Sequence, residues 1–373
     1  MLVGLLKEIK VEEYRVSLTP AGVEQLVARG HRVLVEKNAG VGSEFTDADY
    51  LRAGAEVVET PAEVYARAEL VLHVKEPLPQ EYSLIRDGQI LFTYFHFAAS
   101  EELTRAMMAS GAVCIAYETL TDAAGRLPLL TPMSEVAGRM AAQEAAKYLE
   151  RAQGGRGILL GGVPGVAPAT VVVLGGGVVG TEAARMACGL GALVYLLDAN
   201  PTRLRTLAEI MPKNCVVLMA SPATIRELIA RADAVIGAVL IPGAKAPKLI
   251  TREMLGLMQP GAVLVDVAID QGGCFATSRP TTHSDPVFVV DGILHYCVAN
   301  MPGAVPLTST LALTNATLLY ILTLADKGWQ RAALDDPGLG RGINLVQGRI
   351  VCEAVAKAFA LPTVSLAALL AKE

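Results

Sequence analysis

The sequence predicts an α/β protein of two doubly wound parallel-sheet domains joined by long helices. Three observations carry that expectation. Short apolar runs alternate with amphipathic helical stretches at the spacing of strand–helix–strand units. The alternation is interrupted once, by the long helical stretch "SEVAGRMAAQEAAKYLERAQG" from Ser134 to Gly154, and then resumes. The length of 373 residues gives room for two domains.

The elements follow in order. "MLVGLLKE" reads as a short strand. "TPAGVEQLVARG" reads as an amphipathic helix that starts at Thr19-Pro20 and stops at Gly30. "HRVLVEK", then "LVLHVKEP" halted by Pro77, then "QILFTYFH" and "AVCIAYET" read as strands, with "SEELTRAMMASG" as the helix between the last two. The Ser134–Gly154 helix has a serine suited to an N-cap and a glycine suited to a stop. A Gly/Pro loop, "GGVPGVAPA", precedes a second series of strands: "TVVVLG", "LVYLLD", "CVVLM", "AVIGAV" and "AVLVDVA". A last long helix runs from Gly303 to near Gly328, and "RIVCEAVAKAFAL" reads as a C-terminal helix. The first series has too few elements to cover its own sheet on both faces. The C-terminal helices are therefore expected to return to it, giving one domain of residues 1–130 plus 305–373 and another of 131–304.

Composition narrows the function classes. The chain is 52% hydrophobic and 18% charged, so most of it should be packed core. Its net charge is −5 and no basic run stands out, which argues against a nucleic-acid partner. None of the six cysteines sits in a CxxC pair or at zinc-ligand spacing. The N-terminus is only briefly apolar and carries acids early, so the default expectation is a reduced, cytoplasmic compartment. Two uncharged stretches are long enough to span a bilayer. Gly157–Thr181 holds eight Gly and two Pro, which reads as loop and turn rather than a membrane helix. The other, Tyr296–Ala325, is rich in Thr and Asn and reads as a loop followed by a buried helix.

The most specific local motif is "VVVLGGGVVGTEAARMACGLGALVYLLD". A strand runs into Gly175-Gly176-Gly177-Val178-Val179-Gly180 and then a helix, and the next strand ends in Asp198, 18 residues after Gly180. This is the dinucleotide fingerprint in the strand–turn–helix context it requires, and it makes the domain Rossmann-like. Gly175 permits the tight turn, Gly177 lets backbone N–H groups approach a pyrophosphate at the helix N-terminus, and Gly180 permits close packing. Asp198 would accept hydrogen bonds from ribose hydroxyls and repel a 2′-phosphate, so NAD is favoured over NADP. Arg203 is the one nearby feature that would suit NADP, with an exposed helix-start arginine as the plainer reading.

Four polar residues sit at the ends of expected strands or turns, where α/β sheets gather ligands: Arg15, Lys75, His96 and Asp270. They suit a nicotinamide enzyme, which needs a cation for a substrate carboxylate and a proton shuttle. Each also has a plainer reading: a surface charge for Arg15, an exposed strand terminus for Lys75, a packed core histidine for His96. His31, His73, His283 and His295 read as structural or surface residues. In "VLVDVAIDQGG" Asp266 falls within the expected strand and Asp270 at its end. A hydrogen-bonded structural role suits the first and chemistry the second.

The sequence resembles the alanine dehydrogenase family over nearly its whole length. The motifs that carry the likeness are "KEIKVEEYRVSLTPAGV", "VKEP", "FTYFHFA", "TPMSEVAGRMA", "GGVPGV", "VLGGGVVG", "AVLIPGAKAPKLIT", "VDVAIDQGG" and "VANMPGAVPLTST". The resemblance implies reversible oxidation of L-alanine by NAD and water to pyruvate, ammonium and NADH. It implies that Arg15 holds the substrate carboxylate, an anion that a guanidinium fork suits. Lys75 would contact the carboxylate and carbonyl oxygens, His96 would be the acid/base, and Asp270 the catalytic carboxylate. It places Ser134, Val178, Val179, Asp198, Arg203, Val239, Leu240, Val267, Arg279, Val298, Asn300 and Met301 against NAD, and it implies a homohexamer without a membrane partner.

The chain departs from the family's pattern in three places. Ala220 stands where a serine is frequent, with Ser221 beside it, which puts one adenosine-side hydrogen bond in doubt. Tyr14 replaces a more usual asparagine. Thr323 and Lys327 occupy positions where some members carry a metal pair, so no metal is expected. The competing expectation is the nucleotide-binding subunit of a proton-pumping NAD(P) transhydrogenase, which shares the architecture. Its counterpart of "AIDQGG" generally lacks the aspartate.

Overall fold

A computed structural model describes residues 1–239 and 246–371. Leu240, one of the positions expected against NAD, lies outside the described residues. The first series of strands is β1 (Leu2–Leu5), β2 (Arg32–Glu36), β3 (Glu56–Val58), β4 (Leu70–Leu72), β5 (Ile90–Thr93) and β6 (Val113–Ala116). The second is β7 (Thr170–Leu174), β8 (Leu193–Asp198), β9 (Cys215–Met219), β10 (Ala234–Gly237), β11 (Val263–Asp266), β12 (Val287–Val290) and β13 (Ile293–Tyr296). The chain then adds β14 (Ile343–Val346) and β15 (Arg349–Ile350). Contacts divide it into two compact units, one of Met1–Met133 with Val305–Glu373 and one of Ser134–Ala304.

In the first unit the strand order is β15-β14-β6-β5-β4-β1-β2-β3. The six strands from β3 to β6 run parallel, and the order reverses between β1 and β4. That crevice is where α/β folds of this winding bind ligands. In the second unit the order is β12-β13-β11-β10-β7-β8-β9, with the reversal between β7 and β10. Both sheets are mixed rather than wholly parallel: β14 and β15 pair antiparallel at one edge, and β12 pairs antiparallel with β13.

Parallel strands covered on both faces read as near-continuous apolar runs, and β4, β5, β6, β10 and β11 are buried at every position. In the first unit Leu34, Val71, Leu91 and Cys114 pack with Tyr65, Phe95, Phe97 and Met107. In the second, Val172, Leu197, Val235 and Leu264 pack with Ile225, Leu228, Ile229 and Phe275.

Several elements differ from their sequence expectation. The connecting helix spans Thr131–Tyr148, so Ser134 lies in its first turn rather than capping it. It stops before Gly154, which ends the 3-10 turn Arg151–Gln153 with φ 93°. The last long helix spans Pro306–Asp335 and kinks rather than ends at Gly328, whose φ of 73° and ψ of 163° break the helical run. "RIVCEAVAKAFAL" splits into β15 and a short helix, Glu353–Ala358. β3, β12, β13 and β14 were not expected. Strand β14 finds its partner in β6, more than 200 residues away, with Ile343 opposite Ile115.

The Pro306–Asp335 helix is long and apolar enough by composition to cross a membrane, yet 44% of its apolar window is buried inside the protein. Thr310 on it accepts a hydrogen bond from the Val16 N–H at 3.0 Å and meets the Ser43 hydroxyl at 2.8 Å. Those polar ties belong to a helix packed into its own unit.

Candidate functional site

In the first unit the candidate residues cluster beyond the carboxyl ends of β1, β4 and β5. Glu8, just past β1, is buried and accepts the Val74 N–H at 2.6 Å and the Lys75 N–H at 3.3 Å. It thereby draws these two amides to itself across the topological reversal. Strand β4 ends at Leu72, and Lys75 is carried on an irregular segment three residues beyond it. The Lys75 amine is held below the usual lysine range, first by burial and then by the charge of Arg15.

Arg15 is buried and meets Glu13 through hydrogen bonds of 2.6 Å from Nε and 2.6 Å from Nη2, while Nη1 points to the Met133 sulfur at 3.1 Å. The surface-charge reading is therefore wrong. Burial works against the guanidinium charge, but the hydrogen bonds and charge of Glu13 outweigh it and hold the pKa of Arg15 above its ordinary value. An oriented, permanently charged fork is the form that recognises a carboxylate.

His96 is exposed, not a core residue, and its backbone is left-handed, with φ 52° and ψ 39°. It follows β5 by three residues. Its ring stacks on Tyr94 at 5.9 Å between centroids and 9° between planes. Tyr94 in turn donates its hydroxyl to the Leu129 carbonyl at 2.5 Å and packs edge-on against Tyr117. Burial raises the Tyr94 phenol well above its ordinary range, with Arg15 acting in the opposite sense. Arg15, Lys75, Tyr94 and His96 thus share one end of the first sheet, with the Arg15 charge acting on both Lys75 and Tyr94.

In the second unit β7 turns at Gly175, whose φ is 100°, into the helix Val178–Gly189, with Gly177 at its N-cap position. A side chain at Gly180 would lie 1.8 Å from the Gly175 carbonyl, so only glycine lets the helix start this close to the turn. A side chain at Gly177 would meet nothing within 4 Å, which leaves the first-turn N–H groups open to an anion. Asp198, at the end of β8, already accepts the Gly176 N–H at 2.8 Å and the Asn200 N–H at 2.8 Å. Arg203 is not an exposed helix-start arginine: Nε donates to the Gly176 carbonyl at 2.6 Å and Nη2 to the Thr181 hydroxyl at 2.8 Å, so it braces the glycine turn. An acidic strand end beside a glycine turn fits a dinucleotide carrying a free ribose diol.

The two aspartates of "VLVDVAIDQGG" end in different elements. Asp266 is the last residue of β11 rather than an interior one, and it is fully buried. Its Oδ2 accepts the Cys274 N–H at 2.8 Å, the Phe275 N–H at 3.3 Å and the Ser278 hydroxyl at 2.5 Å. Burial raises its pKa, and these hydrogen bonds partly offset the shift. Asp270 does not close the strand; it lies exposed in the 3-10 turn Val267–Gln271 that follows. Lys248 pins the far side of that turn through the Gly272, Gly273 and Phe275 carbonyls, the last two at 2.9 and 3.1 Å.

The remaining positions are scattered. Val178 is exposed, Val179, Val239 and Val267 are half-buried, and Val298 and Met301 are buried. Arg279 is exposed and lies over the Phe288 ring at 4.2 Å. Asn300 has a left-handed φ of 58° and its carbonyl lies 3.1 Å from His283 Nε2. His295 is buried between Thr277 and the Ile293 carbonyl, at 2.7 and 3.0 Å, which is a structural role. Ser221 caps the helix Pro222–Ile229 by accepting the Thr224 N–H at 3.0 Å. Sequence reasoning missed Glu8, Glu13, Tyr94 and Lys248. The signal for Glu8 and Glu13 was present as acids between a strand and a helix, but nothing local says they turn inward.

The chain is similar to known proteins along most of its length. Residues 4–137 match the family described as Alanine dehydrogenase/PNT, N-terminal domain, and residues 141–353 match its C-terminal domain. The alanine dehydrogenase of Halomonas elongata is 56% identical over 370 residues, covering 99% of this chain and 100% of that protein. A solved L-alanine dehydrogenase superposes with a TM-score of 0.93 at 50% identity, over 96% of this chain and 99% of the other. The transhydrogenase of Sinorhizobium meliloti superposes with a TM-score of 0.80 at 28% identity, over 95% of this chain and 100% of the other. With both domain families matched across most of its length, the chain belongs to the alanine dehydrogenase/PNT family.

Proposed function

We infer that the chain is an NAD-dependent alanine dehydrogenase, converting L-alanine, NAD+ and water reversibly to pyruvate, ammonium, NADH and a proton. The observation that carries this reading is 56% identity to an alanine dehydrogenase over essentially the whole of both chains. The transhydrogenase relative is only 28% identical, and Asp270 is present. The test is NADH formation across a panel of amino acids, with NADP as the control cofactor. Turnover with alanine and NAD is expected. Absence of alanine-dependent NADH formation would return the transhydrogenase reading.

The second unit is the nucleotide domain, with Gly175, Gly177, Gly180 and Asp198 as the residues that would hold NAD. When bound, NAD supplies the acceptor for the hydride from the alanine Cα. The first unit is the substrate domain. Arg15 binds the alanine carboxylate, oriented for that by Glu13. Lys75, with its lowered pKa, contacts the carboxylate and, in the reverse direction, the keto oxygen. His96 takes and returns protons at the amine and at the carbinolamine oxygen, the general acid–base work that an imidazole side chain most often performs. Asp270 orients the water that adds to the imine and stabilises its positive charge. If His96→Ala leaves pyruvate reduction within about threefold of wild type, the acid/base role is wrong, because general acid–base catalysis contributes about 100-fold or more.

The protein acts in the cytoplasm, with no membrane or nucleic-acid partner, as a homohexamer. Leu311 and Leu319, 44% and 67% exposed on the Pro306–Asp335 helix, are apolar surface that assembly would cover. Light scattering of the purified chain tests the assembly.

A further inference from the structure

His96 sits in the left-handed backbone region, which few non-glycine residues adopt, with φ 52° and ψ 39°. Glu118, two residues past the end of β6, holds it there. One carboxylate oxygen accepts the His96 N–H at 2.6 Å and the other accepts the Phe95 N–H at 3.3 Å. Two successive amides are thus bound by one charged acceptor, at the turn that lifts the chain out of the sheet. Bonds of this kind are among the stronger ones in proteins. The imidazole is then fixed from a second side by the Tyr94 ring, itself anchored through its hydroxyl to Leu129.

The geometry points to Glu118 as a positioning residue for His96: its carboxylate locks the left-handed turn that aims the imidazole at the reacting amine and carbonyl. The inference rests on the acid/base role of His96. Glu118 bonds the backbone amides of Phe95 and His96 and so acts through His96. Without the clamp, the Phe95–His96 peptide relaxes toward ordinary backbone angles and the ring swings with it. A misplacement of about 1 Å at a proton-transfer group costs on the order of 100-fold in rate.

The test is a double-mutant cycle in the full-length protein, using Glu118→Ala, Glu118→Gln, His96→Ala and the double variants, with pyruvate, ammonium and NADH. Glu118→Ala is expected to lower kcat by roughly 10- to 100-fold while the KM for NADH stays within about twofold. Glu118→Gln keeps an acceptor oxygen and should recover most of that loss. In the His96→Ala background, Glu118→Ala should cost less than about threefold, because there is no imidazole left to aim. Equal losses in the two backgrounds would overturn the positioning role, whether or not the variants are less stable. A His96→Ala enzyme that retains near wild-type turnover would instead remove the acid/base reading on which the inference stands. If Glu118→Ala does not fold, the same comparison is made with Glu118→Met, which keeps the side chain's length but offers the two amides no acceptor oxygen: a loss confined to the His96 background supports the role, and an equal loss in both, or none in either, overturns it.

Discussion

Glu13 holds Arg15 by two hydrogen bonds of 2.6 Å, one to Nε and one to Nη2, with both side chains buried. Arg15 is thereby oriented before any substrate arrives. A lysine cannot reproduce this fork, so Arg15→Lys is not conservative here. It is expected to raise the KM for pyruvate about 10- to 100-fold, as loss of one charged hydrogen bond worth about 1.5–3 kcal/mol implies. NADH affinity should be unchanged. Steady-state kinetics with both substrates varied checks this, and an equal loss of NADH affinity would contradict the assignment of Arg15 to the substrate.

Lys75 predicts a pH dependence. Its pKa lies below the ordinary lysine value, first because it is buried and then because Arg15 repels its proton. Only the charged amine attracts a carboxylate. Pyruvate affinity should therefore fall as pH rises through that lowered pKa, earlier than an ordinary lysine would allow. Titrating pyruvate into the NADH-loaded protein, without ammonium, isolates binding from chemistry. Lys75→Arg should remove the fall below about pH 10, since arginine keeps its proton throughout. A fall that persists in Lys75→Arg must come from another group.

The sequence made the strand–helix alternation, the glycine turn and Asp198 readable because each is local. Glycine at 175 answers to its own left-handed φ of 100° and glycine at 180 to the Gly175 carbonyl, and apolar runs declare buried parallel strands. What stayed hidden depends on distant partners. Strand β14 is defined by β6, and Glu8 acts on residues 66 and 67 positions further along. The end of β4 was misplaced for the same reason: the periodicity of "LVLHVKEP" runs on, but Glu8 takes the Val74 and Lys75 amides. His96 was expected at a strand end and lies three residues past β5, in a left-handed turn bound by Glu118.

The separation of Asp266 from Asp270 predicts opposite phenotypes. Asp266→Ala leaves two buried amides and a hydroxyl without their acceptor, which costs about 1–3 kcal/mol for each group that water cannot reach. It should lower the melting temperature markedly. Asp270 is exposed in the following turn, so Asp270→Asn should leave the melting temperature near wild type while abolishing turnover and sparing NADH binding. Differential scanning calorimetry paired with NADH fluorescence titration reads both outcomes. A destabilised but fully active Asp270→Asn would reverse the assignment of roles.

His73 links stability to pH. Its ring is buried among acids, with Nδ1 3.3 Å from Glu8, Nε2 3.5 Å from Glu81 and 3.0 Å from the Tyr65 hydroxyl, and Glu36 adds its charge. Burial works to lower its pKa, but the Glu8 hydrogen bond and the charges of Glu8, Glu81 and Glu36 raise it above the unfolded value near 6.5. Below that unfolded value the imidazole is protonated in both states, and the contribution of the cluster is complete. As pH rises through the raised folded pKa, that stabilisation is lost, because the folded chain has been holding a proton the unfolded chain released earlier. The melting temperature should therefore decline from about pH 6 upward. In His73→Gln the carboxylates of Glu8 and Glu81 lose their buried cation, a change that costs roughly 3–5 kcal/mol at the acidic end. The difference between wild type and His73→Gln should shrink as pH rises, since the neutral ring no longer offsets the acids. Thermal denaturation of both proteins across that range, without substrate, measures it. A difference that grows with pH would mean that His73 is neutral in the folded protein.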